Sequence, residues 1–223
     1  MDPVIRVVNR SNQRGGRMLS VIDLVEAGTL SPSLCAWLLG RVRQGGSWLV
    51  GARPGGAGKT TVMSALLAML PAGVTVRLTN PGTGWERSRP GDCVVCYEIS
   101  PGAYDAYLWG EGVRLLTELG RTGCRIVSNL HADILQEARE QVVGRCGASE
   151  EGFGAFGLFI PLSLRGSRVP VVRRVHLFER GSWRAVDDPE SAPDSGIERF
   201  LEDCLRGGIR TVEQVRAAWL ARG

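Results

Sequence analysis

The chain has 223 residues, of which 43% are hydrophobic and 22% charged, so it can bury one substantial core. Its formal net charge of +4 comes from scattered arginines and is too small to indicate a nucleic-acid-binding protein. No apolar run approaches the roughly 20 residues of a membrane span and no amino-terminal signal pattern is present, so we expect a cytoplasmic protein.

The six cysteines are spread over predicted core elements instead of forming a disulfide framework, which suits a reducing compartment. Cys93 and Cys96 form a CxxC pair inside a predicted buried strand, and no second pair follows at zinc spacing. We interpret both as small core residues.

The amino-terminal part alternates short apolar segments with polar turns. We predict an edge strand at residues 4–8 and a polar loop at residues 9–17. Ser20 caps a short amphipathic helix that Gly28 ends, and Pro32 starts the next helix, at the position where proline is favoured.

The rest of the chain alternates predicted strands with predicted helices, which is typical of an α/β fold, a mostly parallel sheet with helices on both faces. Strands are predicted at residues 48–51, 74–78, 93–98, 123–128, 156–162, 169–179 and 182–186. Helices are predicted at residues 21–27, 62–70, 103–119, 132–144, 197–205 and 211–221. We therefore predict a domain at residues 1–186 with a lead-in at 1–46, a linker at 187–196 and a carboxyl-terminal helical hairpin at 197–223.

Residues 48–61 have the strand, glycine-rich turn and helix of a phosphate-binding P-loop, although the strict pattern has glycine where this chain has Arg53. Small residues let backbone N–H groups and the helix amino terminus face one anion. The predicted nucleotide-binding residues are Pro54, Gly55, Gly56, Ala57, Gly58, Lys59, Thr60 and Thr61. Lys59 is expected to reach the β- and γ-phosphates of ATP, and the Thr60 hydroxyl to hold Mg²⁺.

Lys59 is the single lysine among 27 basic residues. An arginine fork is bulkier and planar, whereas the loop needs a compact ammonium group. A chain that uses arginine elsewhere and keeps lysine here favours phosphate binding over a plain glycine-rich turn.

Two further residues are candidates for catalysis. Glu98 ends an apolar strand, at the edge where open α/β sheets bind ligands, and is interpreted as the acid that organises Mg²⁺ or water. His131 follows a neighbouring predicted strand and is interpreted as a γ-phosphate sensor. The alternatives are a carboxylate that caps the next turn and a structural histidine. Four arginines are near enough in sequence to supply phosphate contacts: Arg53, Arg77, Arg87 and Arg89.

Four ordered motifs resemble those of the type II and type IV secretion ATPases, in particular the archaeal pilus and archaellum branch. The matching segments are residues 19–32, the P-loop, residues 89–98 and residues 128–133, and residues 200–203 and 208–210 are similar to the closing helices of archaeal members. The resemblance implies a RecA-like motor domain that uses ATP and Mg²⁺, forms a homo-hexamer and works on a membrane platform protein. It also implies family roles for Lys59, Thr60, Glu98 and His131, with Thr60 and Glu98 at the metal.

The chain departs from the family pattern in four places. Fewer than twenty residues precede the lead-in, where the family has a domain that closes over the nucleotide. Residues 78–81, which include Asn80, replace an acidic box, the arginine-bearing stretch after it is short, and Tyr97 replaces glycine. We expect ATP binding and keep two readings: a minimal, slow ATPase, or a non-hydrolysing subunit that regulates or co-assembles with a full-length secretion ATPase. A nucleic-acid-dependent ATPase is disfavoured, because no basic, aromatic-rich groove is apparent.

Overall fold

The structure, a computed structural model, describes residues 2–12, 15–53, 55–165, 169–187 and 195–222. The helices are α1 (Pro3–Arg10), α2 (Val21–Glu26), α3 (Pro32–Arg43), α4 (Lys59–Leu67), α5 (Glu111–Arg121), α6 (Leu135–Arg139), α7 (Glu150–Gly154), α8 (Ser195–Arg206) and α9 (Val212–Leu220). The strands are β1 (Trp48–Gly51), β2 (Val76–Leu78), β3 (Cys93–Ile99), β4 (Tyr107–Leu108), β5 (Arg125–Leu130), β6 (Leu158–Pro161), β7 (Ser163–Arg165), β8 (Val169–Val171), β9 (Arg174–Glu179) and β10 (Ser182–Asp187). A 3₁₀ turn lies at Trp85–Arg87 and a π-helical segment at Glu140–Arg145.

The main sheet has the strand order β10-β9-β6-β1-β5-β3-β2, and β4 extends it beside β3. The strands from β6 to β2 are parallel, and β9 and β10 add an antiparallel edge. β7 and β8 form a separate antiparallel hairpin. The predicted fold class, α/β with a mostly parallel sheet flanked by helices, is confirmed.

Hydrophobic side chains fill both faces of the sheet. Trp48 and Val50 of β1 point into a core shared with α1 to α4, α8 and α9, whereas Leu49 points into a second core shared with α5, α6 and α7. Because strand side chains alternate between faces, the continuous apolar run of β1 serves both cores.

The carboxyl-terminal helical hairpin was correctly predicted. Thr211 begins α9 with a capping box that includes Gln214. Phe200 and Trp219 pack edge to face in the same core as α3, with ring centroids 5.3 Å apart. Of the predicted linker, residues 188–194 lie outside the described part of the chain, and the proposed domain boundary stays a prediction.

The predicted edge strand at residues 4–8 is wrong, because this segment is the helix α1. Asp2 caps it by accepting from the backbone N–H of Val4 and Ile5 at 2.7 and 3.4 Å, and proline follows at the first helical position. Val4 and Val8, four residues apart, are both buried. Capping and helical burial therefore override the β-propensity of a valine-rich segment.

The helix predicted at residues 103–119 is also wrong in its first half, since α5 begins only at Glu111. Ala106 and Gly110 have φ values of 52° and 56°, which no right-handed helix contains. Residues 101–106 instead form a turn that leads into β4.

Several more predicted elements differ in extent, among them α4, β2 and β5, each with at least one end two or three residues from its predicted position. The helix predicted at residues 132–144 begins at Leu135 and passes into the π-helical segment. The strand predicted at 169–179 is divided, because β8 pairs with β7 and β9 pairs with β6. The strand predicted at 156–162 is the shorter β6, and β7 follows it.

All six cysteines are buried, in agreement with their interpretation as core residues. Cys93 and Cys96 point to opposite faces of β3, the first into one core and the second into the other. Burial raises their pKa values to about 12 and about 11. This CxxC pair therefore cannot close a disulfide or share a metal ion.

Candidate functional site

The strand order brings three sequence motifs to one edge of the sheet. β5 lies between β1 and β3, so the residue after β5, His131, stands between the turn that follows β1 and the end of β3. Glu98 is the next-to-last residue of β3. A parallel sheet gathers the carboxyl ends of its strands, which is why segments far apart in sequence meet here.

The glycine-rich turn leads directly into α4. Gly56 and Gly58 have φ values of 84° and 89°, which side-chain-bearing residues rarely adopt. A Cβ atom at Gly58 would lie 3.1 Å from Pro170 Cγ of the β7–β8 hairpin. Gly55, Gly56, Ala57 and Gly58 are described, whereas Pro54 lies outside the described residues.

Lys59, the first residue of α4, turns its ammonium group into the site. The side chain is only 7% exposed, and its Nζ donates to the carbonyl of Ala52 at 3.2 Å. It also lies 3.4 Å from Glu98 Oε1 and 3.3 Å from His131 Nδ1. Lys59 and Glu98 are therefore a nearly buried ion pair, in which removal of one partner strands the other charge.

His131 and Glu98 are in direct contact, with Nε2 2.7 Å from Oε1. This contact and the contact to Lys59 are electrostatic, because the buried Oε1 accepts no well-formed hydrogen bond from any described residue. His131 Nδ1 lies 3.1 Å from the carbonyl of Arg53 as well as 3.3 Å from Lys59 Nζ. The tautomer of His131 decides which of these two contacts is a hydrogen bond. A protonated Nδ1 donates to the Arg53 carbonyl, and an unprotonated Nδ1 accepts from Lys59.

Thr60 lies beside a buried amide. Asn129 Nδ2 donates to the carbonyl of Tyr97 at 3.1 Å and lies 3.4 Å from Thr60 Oγ1. Asn129 Oδ1 is buried and has no hydrogen-bond partner among the described residues. Two buried oxygens that accept no hydrogen bond from a described residue, Glu98 Oε1 and Asn129 Oδ1, therefore accompany the Thr60 hydroxyl at this edge, and oxygen donors of this kind suit Mg²⁺.

Lys59, Thr60, Glu98 and His131 line an open cleft of about 540 Å³. The rest of residues 55–61 also line it, together with part of the segment after α1, including Ser11, Arg17, Met18 and Leu19. Thr61 lines the cleft too. Over the described residues, no group of three or more histidine, cysteine or acidic side chains could hold a metal ion without further ligands.

The four candidate arginines do not join this group. The backbone N–H of Arg53 donates to Asp133 Oδ1 at 2.7 Å, and its guanidinium binds Glu137. The other three, Arg77, Arg87 and Arg89, line a separate cleft of about 460 Å³ beside Asp92, at the start of β3 and away from Glu98. These three arginines are close to Glu98 in sequence but not in space, because they lie at the start of β3 and Glu98 lies near its end.

Asn80 and Tyr97, the two residues that depart from the secretion-ATPase pattern, have structural roles. Asn80 accepts from the backbone N–H of Ala106 at 2.6 Å and donates to Asp105 at 2.9 Å, so it holds the turn before β4. The Tyr97 hydroxyl donates to the carbonyl of Val7 at 2.8 Å, which fastens α1 to β3. Burial raises the pKa of Tyr97.

Sequence reasoning missed Arg17, Tyr107 and Asn129 as residues of the site. Asn129 had a usable signal, since it is a polar residue at the end of a strand just before His131. Tyr107, whose hydroxyl donates to Glu98 Oε2 at 2.9 Å, had none, because the sequence predicted a helix there.

No protein-family model matches this sequence, and no curated protein matches it. Among solved structures, the chain is similar to the ATPase DotB of Legionella pneumophila, with a TM-score of 0.43 and 12% sequence identity. The match covers 81% of this chain and 53% of the DotB chain, so this chain spans about half the length of that protein. The side chains of the cleft are therefore the basis for any proposal about function.

Among the described residues, no helix is long and apolar enough to cross a membrane.

Proposed function

We propose that the protein binds Mg·ATP in the cleft above the glycine-rich turn and hydrolyses it slowly. One observation carries the proposal: the single lysine of the chain is held at the amino terminus of α4, inside the turn and within 3.4 Å of both Glu98 and His131. A buried ammonium group, open glycine backbone and a helix amino terminus that share one cleft are complementary to a polyphosphate.

The residues present fit Mg²⁺ as well as the nucleotide. The Thr60 hydroxyl and the unpartnered Glu98 Oε1 are hard oxygen donors, and Mg²⁺ bound to nucleotide typically takes one or two protein ligands in addition to phosphate oxygens. When bound, the ion supplies charge stabilisation for the phosphates.

The residues of the cleft have separate roles in this proposal. Lys59 neutralises the phosphates, Glu98 orients the attacking water, and His131 donates to the γ-phosphate. Since Lys59 and Glu98 already form an ion pair, nucleotide entry exchanges a carboxylate for a phosphate at the ammonium group.

We further propose that the protein serves a secretion-type machine, as a homo-hexamer or in co-assembly with a full-length secretion ATPase at a membrane platform protein. The order of the four sequence motifs supports this placement. Arg53, Arg77, Arg87 and Arg89 do not line the cleft, whereas Arg17 does, with its guanidinium paired to Asp23.

A second candidate is a nucleotide-binding subunit that does not hydrolyse ATP. Asn80 favours it, because an amide hydrogen-bonded to Ala106 and Asp105 stands where the secretion-ATPase pattern has an acidic box. The strand β2 therefore contributes no acid to the cleft in the described structure.

The test measures binding and turnover on the same preparation. Fluorescent ATP binding with Mg²⁺ and with EDTA is compared for the wild type, Lys59→Met and Ser64→Ala, together with phosphate release. Ser64 is the matched control, because it is buried on the same helix and bonds to Ser11 without lining the cleft.

We expect Lys59→Met to lose about 100-fold in affinity and Ser64→Ala to stay within about twofold. Binding with phosphate release supports the ATPase, binding without release supports the subunit, and equal affinity of Lys59→Met and wild type contradicts both.

A further inference from the structure

Tyr107 fixes one of the two oxygens of Glu98. In the parallel pairing of β3 and β4, Glu98 stands opposite Tyr107, and the phenolic hydroxyl donates to Oε2 at 2.9 Å. Tyr107 is half-buried and lines the cleft. With Oε2 held, the carboxylate cannot rotate freely, and Oε1 stays directed toward Lys59 and His131.

The turn before Tyr107 is itself clamped by residues at the end of β2. Thr79 Oγ1 donates to the carbonyl of Ala106 at 3.0 Å, and Asn80 binds the N–H of the same residue. Asn80 also binds Asp105, which pairs with Arg10 of α1 at 2.7 Å. These bonds hold Ala106 at its positive φ of 52°, a conformation that needs support from its surroundings.

We infer that Tyr107 is a positioning residue for Glu98, and that Asn80 acts on the same carboxylate through the clamped turn. The inference rests on the proposed function for its catalytic consequence, whereas the contact itself is independent of nucleotide. It gives Asn80 a defined role: the amide is a part of the clamp and not an acid that has been lost.

The first experiment is a double-mutant cycle without nucleotide. Urea unfolding is measured for the wild type, Tyr107→Phe, Glu98→Ala and the double variant. Non-additive stabilities are expected, because each single change removes the same hydrogen bond between Tyr107 and Glu98. Additive stabilities overturn the inference whether or not the protein hydrolyses ATP.

The second experiment separates kcat from KM for ATP. Tyr107→Phe is expected to lower kcat about tenfold and leave KM within about twofold, because a misplaced catalytic group costs rate and not binding. Tyr104→Phe is the matched control: its ring packs on Tyr107 with centroids 5.2 Å apart, it is 69% exposed, and its hydroxyl bonds to no described residue. Equal kcat for Tyr107→Phe and Tyr104→Phe overturns the inference.

Asn80→Asp distinguishes the clamp from a lost acid. If Asn80 is part of the clamp, the new carboxylate repels Asp105 and can no longer donate a hydrogen bond to it, so kcat is expected to fall about tenfold. If Asn80 were a lost catalytic acid, the same change would raise kcat, and that result overturns the inference. If the wild type binds no ATP but the double-mutant cycle shows coupling between Tyr107 and Glu98, the proposed function is refuted and the positioning contact is supported.

Discussion

Lys59 Nζ and Glu98 Oε1 lie 3.4 Å apart in a nearly buried ion pair at the mouth of the glycine-rich turn. The positive charge that a phosphate needs is thus already paired with a carboxylate. Nucleotide binding and the ion pair therefore compete for the same ammonium charge.

Glu98→Gln is expected to bind ATP several-fold more tightly in EDTA, because the neutral amide no longer competes for Lys59. Phosphate release is expected to fall at least about 100-fold, as for the loss of a preorganised catalytic group. Fluorescent nucleotide titration and a phosphate-release assay measure the two effects. Weaker binding in EDTA, or undiminished turnover, would contradict the assigned role of the pair.

Gly51→Ala is expected to destabilise the fold by about 3 kcal/mol or more, since overpacking a close backbone contact is costly. A Cβ atom there would meet the carbonyl of Ala132 and lie 2.6 Å from the Phe159 ring. Gly55→Ala is the control, because a Cβ at that position has nothing within 4 Å. Urea unfolding of both variants checks the difference, and equal stabilities would refute the packing around Gly51.

Arg216 ties α9 to the segment that follows α4. Its 6%-exposed guanidinium donates to the carbonyls of Ala68 and Leu70 at 2.7 and 2.9 Å and to Asp2 at 2.6 Å. Arg216→Ala is expected to lower the free energy of unfolding by about 3 kcal/mol, because it leaves buried acceptors unpaired. Arg206→Ala is the control: this 72%-exposed arginine pairs with Asp203 on the surface, and its loss should cost less than about 0.5 kcal/mol.

The same contact predicts a pH dependence. Burial raises the pKa of Asp2, but the hydrogen bond from Arg216 and those from the α1 backbone outweigh it and hold the pKa below the ordinary value of 3.8. A carboxyl group with a depressed folded-state pKa stabilises the fold above pH 3.8, and this contribution is lost as the pH falls through the folded-state pKa. Asp2→Asn should therefore lose stability at neutral pH and show a shallower loss between pH 4 and pH 2 than the wild type.

The buried thiols should be inert in the native state. Burial raises the pKa values of Cys93 and Cys96 to about 12 and about 11, and a protonated thiol is a poor nucleophile. We expect Ellman's reagent at pH 8 to react with none of the six cysteines at a measurable rate until urea unfolds the chain. Rapid stoichiometric labelling of the native protein would show that one of them is accessible.

The strands of the central sheet could be predicted because their residues are apolar on both faces and are bounded by turns. β1 is predicted to the residue, and β3 differs by one. The hydrophobic runs report burial, and burial on both faces is characteristic of parallel strands.

The segments that failed have their conformation decided by distant partners. α1 contains four branched apolar residues and was assigned to a strand, but its cap at Asp2 is fixed by Arg216, more than 200 residues away. The turn at residues 101–106 is held by Asn80 and Thr79 of another strand end. Local propensity contains no information about such bonds.

The residues of the candidate site likewise fall into those that the sequence indicates and those that only the fold reveals. Lys59, Glu98 and His131 could be proposed as site residues because each occupies a motif, and the structure brings them within 3.4 Å of one another. Tyr107 was missed because its role depends on the β3–β4 register, which a single sequence does not reveal.

The closeness of Pro170 to Gly58 has a practical consequence for protein engineering. The β7–β8 hairpin is outside the main sheet and would be an obvious piece to trim from a shortened protein, yet a Cβ atom added at Gly58 would lie only 3.1 Å from Pro170 Cγ. A truncated version that omits the hairpin removes the neighbour of the glycine-rich turn, so any minimal domain built from this chain should retain it.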